Sequence, residues 1–143
     1  MKIAIKILSI IFVSLLLSAC NQNVGRTNNV EIIISDSDKF SKEKIEEAIG
    51  CVMEKFADFQ GCDLLQLWYD EARSISEIDM IVKSGTGRVN GVSKENIIIL
   101  FSNFYVGSSA PRYFNRNFTY TDWMWILIKN NENENWRVVD WGY

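Results

Sequence analysis

The sequence predicts an α+β domain, a long N-terminal helix and a short second helix packed on a curved, mostly antiparallel sheet of about four strands. Three observations lead there. Ile45, Ala48, Ile49, Val52 and Phe56 recur at helical spacing near the start of the domain. Strand-length apolar runs then crowd the C-terminal half. Finally, no internal repeat and no glycine- or proline-rich linker divides the 143 residues, a length that suits one domain. With 48% hydrophobic and 13% aromatic residues, such a chain can furnish a core and is not of disordered composition.

Taken in order, residues 30–35 form a short β-like run. Ser41 is a plausible N-cap, with Glu43, Glu46 and Glu47 in or near the first turn, where they favour the helix dipole. The helix should run over residues 42–58 and stop before Gln60-Gly61. Residues 62–69 are strand-length and apolar, with Gly61 before them and Asp70-Glu71 after. Ile75, Ile78, Ile81 and Val82 place a short helix over residues 74–84. A glycine-bearing loop, 85–91, leads to a strand over 97–106. The turn-like segment 107–111 precedes a strand over about 118–129, and the Asn/Glu-rich stretch 130–135 is a hairpin loop returning as residues 136–141. One helix, one strand, one helix and three strands in succession suggest helices on one face of the sheet.

Ahead of the domain stand Lys2 and Lys6, an apolar run over residues 7–17, and then Leu17-Ser18-Ala19-Cys20. The run is short for a membrane span and fits the hydrophobic region of a signal peptide. Its ending resembles the lipobox of bacterial lipoproteins. That resemblance implies a signal peptide over residues 1–19, diacylglyceryl transfer to the Cys20 thiol, and a mature N-terminus at Cys20 on the outer side of a membrane. An ordinary secretory leader with a chance cysteine is the alternative. Without Lys2 and Lys6 the formal charge falls from −3 to −5, so attachment would rest on acyl chains rather than on attraction to anionic head groups. Residues 20–30 read as the lipidated cysteine and a polar tether, and residues 31–143 as the domain. The host's envelope type, and so an outer-membrane location, is left open.

Cys51 and Cys62 remain once Cys20 is set aside, in an oxidising compartment. On a helical wheel Cys51 lies about 130° from the centre of the apolar stripe, so it is poorly explained as core filler. The helix rises about 10 Å from Cys51 to Asp58, and the next four residues span enough to return. A disulfide is geometrically open, as is a pair of reduced thiols.

Several classes of chemistry are disfavoured. An acidic chain shows no basic patch for nucleic acid. The absence of histidine removes the commonest general base and zinc ligand, leaving at most oxygen ligands of the kind calcium takes. The loop 85–91 lacks the Lys-Ser/Thr ending of a phosphate-binding loop. No cofactor is called for and no catalytic residue is assigned. What remains is a pocket of Tyr69, Asp70, Trp125 and Asp140, in which a carboxylate beside a tyrosine in an apolar cone could serve as a base.

The last strands are unusually aromatic, holding twelve of the eighteen Phe, Trp and Tyr residues from Phe101 onward. In residues 119–129 both faces are apolar: Trp123, Trp125 and Leu127 oppose Met124, Ile126 and Ile128. Residues 97–106 behave alike. A sheet with one solvated face would alternate, so the second face must be covered by the chain itself or by a partner. The expectation is intrachain cover with a modest homodimer patch.

The element order resembles cystatin-like and nuclear-transport-factor-2-like folds. The wording Phe59-Gln60-Gly61-Cys62-x-Leu64-x-x-Leu67-x-Tyr69-Asp70-Glu71 and the ending Trp136-x-Val138-x-Asp140-Trp141-Gly142-Tyr143 resemble a family of lipid-anchored extracytoplasmic domains of unknown function, found mainly in low-GC Gram-positive bacteria. The resemblance implies a fold and a location and carries over no catalytic residue. Three functions fit: a membrane-displayed binding or interaction domain for an unidentified protein or small molecule, a small acid–base enzyme, or an inhibitor or immunity-type partner of an extracellular enzyme. The first is the expectation taken forward.

Overall fold

A computed structural model describes residues 24–85 and 87–143. The leader expected over residues 1–19, Cys20 and Thr86 of the glycine-bearing loop lie outside the described residues. The order is β1 (Glu31–Ile34), α1 (Lys42–Phe56), β2 (Cys62–Tyr69), α2 (Glu71–Ser84), a 3-10 turn (Lys94–Asn96), β3 (Ile97–Val106), β4 (Phe118–Ile128) and β5 (Arg137–Gly142). The strands lie in sequence order in one mixed sheet of five strands. β1 runs parallel to β2, and the three later pairings are antiparallel. The expected count of about four strands is therefore low by one. The run around Ile32 joins as a parallel edge strand because α1 carries the chain back before β2 begins.

Local chemistry sets the helix ends. The Ser41 hydroxyl accepts from the Lys44 N–H and starts α1, and buried Ile45, Ala48, Ile49, Val52 and Phe56 form its core stripe. α2 starts three residues earlier than its apolar spacing suggests. The Asp70 carboxylate accepts from the Arg73 N–H at 3.0 Å and caps a first turn that carries no apolar signal. Gly85, at φ 69°, closes α2 in the left-handed conformation.

The two helices lie on opposite faces, which corrects the one-sided arrangement. On β3, Ile98, Leu100 and Phe104 belong to the core under α1, together with Trp125 and Leu127 of β4. Their alternates Ile97, Ile99 and Phe101 belong to a second core with Ile78 of α2 and Val89 of the following loop, against Ile128. Ile97 to Ser102 are all buried for this reason. Apolar character on both sides of β3 and β4 is thus met by the chain itself.

α2 covers only half of the reverse face. Ser74, buried at its start, takes the Ile99 N–H onto its hydroxyl at 3.1 Å, satisfying β3 where β2 no longer runs beside it. Register shifts near Leu65 on β2 and Asn103 on β3 mark the border. Past that border the reverse face turns polar.

The stretch after Cys20 is fastened sooner than a free tether over 20–30 would be. Gly25 N–H donates to the Ala57 carbonyl at 3.0 Å, Arg26 N–H to Cys62 at 2.9 Å, and Leu64 N–H returns to the Arg26 carbonyl at 2.8 Å. Arg26 also forks onto the Asp63 carboxylate with two donors. The sequence around Arg26 has no periodicity because it makes a single bridge and not a strand.

Candidate functional site

The four residues read from sequence as a pocket do not converge. Tyr69 is 1% exposed in the α1 core, its ring edge-on to Phe40 and its hydroxyl 3.4 Å from Glu71. Burial pushes its pKa up to about 12. Asp70 is spent on capping α2. Trp125 is fully buried, its indole N–H on the Ser102 hydroxyl. Asp140 pairs in register with Ile126 and so faces the reverse side, and its carboxylate takes the Trp141 N–H at 3.0 Å. From β2 to β5 is three strand spacings, about 14 Å. No carboxylate stands beside Tyr69 in an open cone. The acid nearest its hydroxyl, Glu71, is saturated by Ser37, whose hydroxyl donates to it, and by the N–H groups of Lys39 and Asp38. These donors, Ser37 first, hold its carboxyl below the usual range. Glu71 thereby straps residues 37–39 to α2, across a separation no local pattern could reveal.

Both thiols are free. Cys51 is half-buried, since β5 and the chain before it cover that flank of α1, and its thiol reaches the Trp136 carbonyl at 3.2 Å. Cys62 is buried at the start of β2 and turned to the Gln60 carbonyl. Burial raises both thiol pKa values, that of Cys62 to about 11. Of the two states open in the sequence, the structure holds the reduced pair, each thiol on its own backbone partner.

What the fold does assemble is a hydrogen-bonded line across the open half of the reverse face. Gln66 donates to Glu31 at 2.6 Å and accepts from the Asn103 amide at 2.7 Å, while Asn103 accepts the Asp122 N–H at 3.0 Å. Asp122, at φ 58°, pairs with Arg73 of α2 at 2.6 Å, and the Arg73 guanidinium lies 4.0 Å from the Phe101 ring centre. One member comes from each of β1, β2, β3, β4 and α2, at the border where the helix stops covering the sheet. A concavity of about 540 Å³ lies over this line, with Ile33, Trp68 and Thr121 among its walls. Beside it a second, of about 590 Å³, is lined by the Arg26–Asp63 pair, Asn28, Leu65, Tyr105 and Thr119. Together they offer amides, hydroxyls and carboxylates with aromatic and aliphatic walls. Sequence reasoning passed over Gln66, Asn103 and Tyr105 because each looks like an ordinary polar break in a strand.

At one end of the sheet the aromatic side chains reach solvent. Phe59, Phe104, Phe114, Tyr120 and Trp123 pack mutually, with ring centres 5.1 to 6.4 Å apart. Tyr113, Phe118 and Tyr143 lie outside them, 74%, 48% and 73% exposed. Trp123 is the one residue whose buried side-chain donor finds no partner among the described residues.

Among the described residues no three or more potential metal ligands cluster, and no helix is long and apolar enough to cross a membrane. The molecule is defined as an α+β domain, with a mixed five-stranded sheet bearing one helix on each face and an open polar half on one of them. No family model, curated protein or solved structure matches the chain.

Proposed function

We propose that the chain is a membrane-anchored extracytoplasmic lipoprotein, held by acyl groups on Cys20, and that its domain is a binding module for a polar ligand. The observation that carries the binding reading is the half-covered reverse face. The chain buries the apolar part of that face under α2 and leaves a hydrogen-bonding part open. There Tyr105, Thr119 and Thr121 stand beside the line through Gln66 and Asn103. Binding sites of this kind combine flat apolar walls with a few convergent polar groups. The dispersal of Tyr69, Asp70, Trp125 and Asp140 leaves the acid–base reading without the pocket that suggested it. The leader and the sequence Leu17-Ser18-Ala19-Cys20 support the location.

For fold affinity we propose a modified cystatin-like or nuclear-transport-factor-2-like architecture. α1 laid over antiparallel strands supports it. Parallel β1 and α2 on the reverse face are the modifications.

Two measurements test the proposal. Labelled palmitate should enter the wild-type chain and not a Cys20→Ser variant. A native mass spectrum of the acylated chain, released from its own membranes in mild detergent, should carry a small-molecule adduct that is lost on Tyr105→Ala. A bare protein in both spectra would sink the ligand reading, and the same spectrum reports any homodimer.

A further inference from the structure

The end of the sheet that carries the exposed aromatic side chains is also the end from which the N-terminal segment leaves. Gly25 is bonded to Ala57 after α1, and Arg26 to Cys62 at the start of β2. Cys62 pairs with Val106, and Val106 with Phe118, so this end also holds the loop of residues 107–117. Five residue steps separate Cys20 from Gly25, which span at most about 18 Å fully extended. The ten residues of β3 alone run about 33 Å. An anchor on Cys20 therefore keeps this end of the domain near the bilayer. The opposite end, with the loop of residues 129–136, stands a strand's length further out.

The surface held there has the chemistry of a membrane interface. Tyr113, Phe118 and Tyr143 project from the packed aromatic cluster, which fixes their ring positions. Tyrosine and its aromatic relatives settle at headgroup level, where the ring is apolar and the hydroxyl is wet. Residues 107–118 contain Arg112 and Arg116 and no acid. The nearby acids Asp58 and Asp63 are paired, to Lys55 at 2.8 Å and to Arg26. At the far end, residues 130–135 contain Glu132 and Glu134 and no base. A chain of net negative charge thus turns to the side where anionic head groups would lie two arginines that pair with no acid among the described residues, Arg116 donating instead to the Ala110 carbonyl at 2.6 Å.

We infer that this aromatic, arginine-bearing end is a membrane-docking surface, which seats the domain on the bilayer and turns the open sheet face sideways. The inference rests on Cys20 being the lipid anchor. It differs from the ligand site, since it concerns the end of the sheet and not its reverse face.

The test uses the full chain, isolated from membranes and reconstituted into vesicles of phosphatidylglycerol and phosphatidylcholine bearing a headgroup spin label. Tyr113→Trp and Glu132→Trp each add a fluorophore at an exposed position, one at each end. The added emission of Tyr113→Trp should be quenched by roughly twofold, as for a side chain at headgroup level, and that of Glu132→Trp left unchanged. Adding Arg112→Glu should reduce the quenching of Tyr113→Trp. Equal quenching at both ends of a chain whose mass shows acylated Cys20 would overturn docking while leaving the anchor in place. An unmodified Cys20 in the same mass spectrum would overturn the anchor and docking together. Shielding of position 113 in intact envelopes but not in vesicles would assign the surface to a protein partner and overturn the lipid proposal.

Discussion

The indole N–H of Trp125 donates to the hydroxyl of Ser102 across 2.8 Å, and both residues are fully buried. They are diagonal neighbours, since Trp125 pairs in register with Leu100 and Ser102 with Trp123. Tryptophan is seldom wholly enclosed because its N–H then needs a partner within the core. Here a strand serine supplies it, next to the register shift after Ser102. Ser102 is thus a polar break in an apolar strand that serves the aromatic core rather than a ligand.

Ser102→Ala would leave that indole donor unpartnered. The expected loss is about 1–3 kcal/mol, the usual cost of stranding a buried polar group. Urea unfolding would read it as a lower midpoint at unchanged slope. A loss under about 0.5 kcal/mol would mean that the N–H finds another acceptor or that the site relaxes.

Trp136 fastens the end of the chain to α1 in three places. Its indole N–H donates to the Lys44 carbonyl at 3.0 Å, its backbone N–H to Glu47 at 3.2 Å, and its carbonyl receives the Cys51 thiol. Lys129, 7% exposed, lies with its ammonium 5.0 Å from the ring centre. Trp136→Phe keeps most of the burial and loses the indole bond, so about 1 kcal/mol should go. Trp136→Ala should cost about 3–5 kcal/mol. Because the thiol meets the backbone carbonyl, which the substitutions at 136 keep, Cys51→Ala alone reads its contribution, and a loss of about 1 kcal/mol is expected.

The elements were legible where one periodicity ruled. α1 announced itself through Ile45 to Phe56, and β3 through the apolar run from Ile97 to Phe101. The side on which α2 packs was not legible. Ile78 and Ile81 say that the helix has an apolar stripe, but which face of the sheet receives it depends on the Asp70 cap and on Ser74 reaching Ile99. β1 was legible as a strand and not as a parallel edge, because direction is set by the crossover and not by the strand. The polar line through Gln66 and Asn103 was invisible for a related reason. Amides in strands carry no spacing signal, and register shifts of one residue decide which of them meet. Cys51 illustrates the converse. Its position off the core stripe was readable, but the cover supplied by Trp136 comes from 85 residues away.

Stability should fall on the alkaline side as two buried groups come to titrate. Cys62 is raised from 9.0 to about 11 and Tyr69 from 10.0 to about 12, both chiefly by burial. Because these folded-state values lie above the unfolded ones, unfolding releases protons as the pH rises. The contribution is complete below about pH 9 and is lost progressively as the pH climbs toward the folded values. On the acid side the signs reverse. Glu71 and Glu47 are held below 4.5, by the Ser37 hydroxyl and by Lys44 respectively, so their contribution is present above that value and disappears as the pH falls through the folded values. Urea midpoints measured across pH should show a plateau between these limbs. Cys62→Ala should flatten the alkaline limb and Glu71→Gln the acid one, whatever each does to the plateau height.

The short reach between Cys20 and the domain depends on a glycine. Gly25 lies against the end of α1 so closely that a Cβ there would stand 1.9 Å from the Phe56 carbonyl oxygen and 3.0 Å from its carbonyl carbon. Both are backbone atoms of a helix, which cannot swing away as a side chain tip could. Gly25→Ala should therefore push the segment off Ala57, with loss of the bond between Gly25 and that carbonyl and of the bridge from Arg26 to Cys62. The rest of the sheet does not rest on this segment, so the main unfolding transition should shift by little. Hydrogen exchange is the sensitive measurement. Protection of the Gly25, Arg26 and Leu64 amides should drop together in Gly25→Ala while that of β3 stays. Retained protection at all three would mean that the helix end yields instead. The path from Cys20 to the domain would then stay as short as in the wild type.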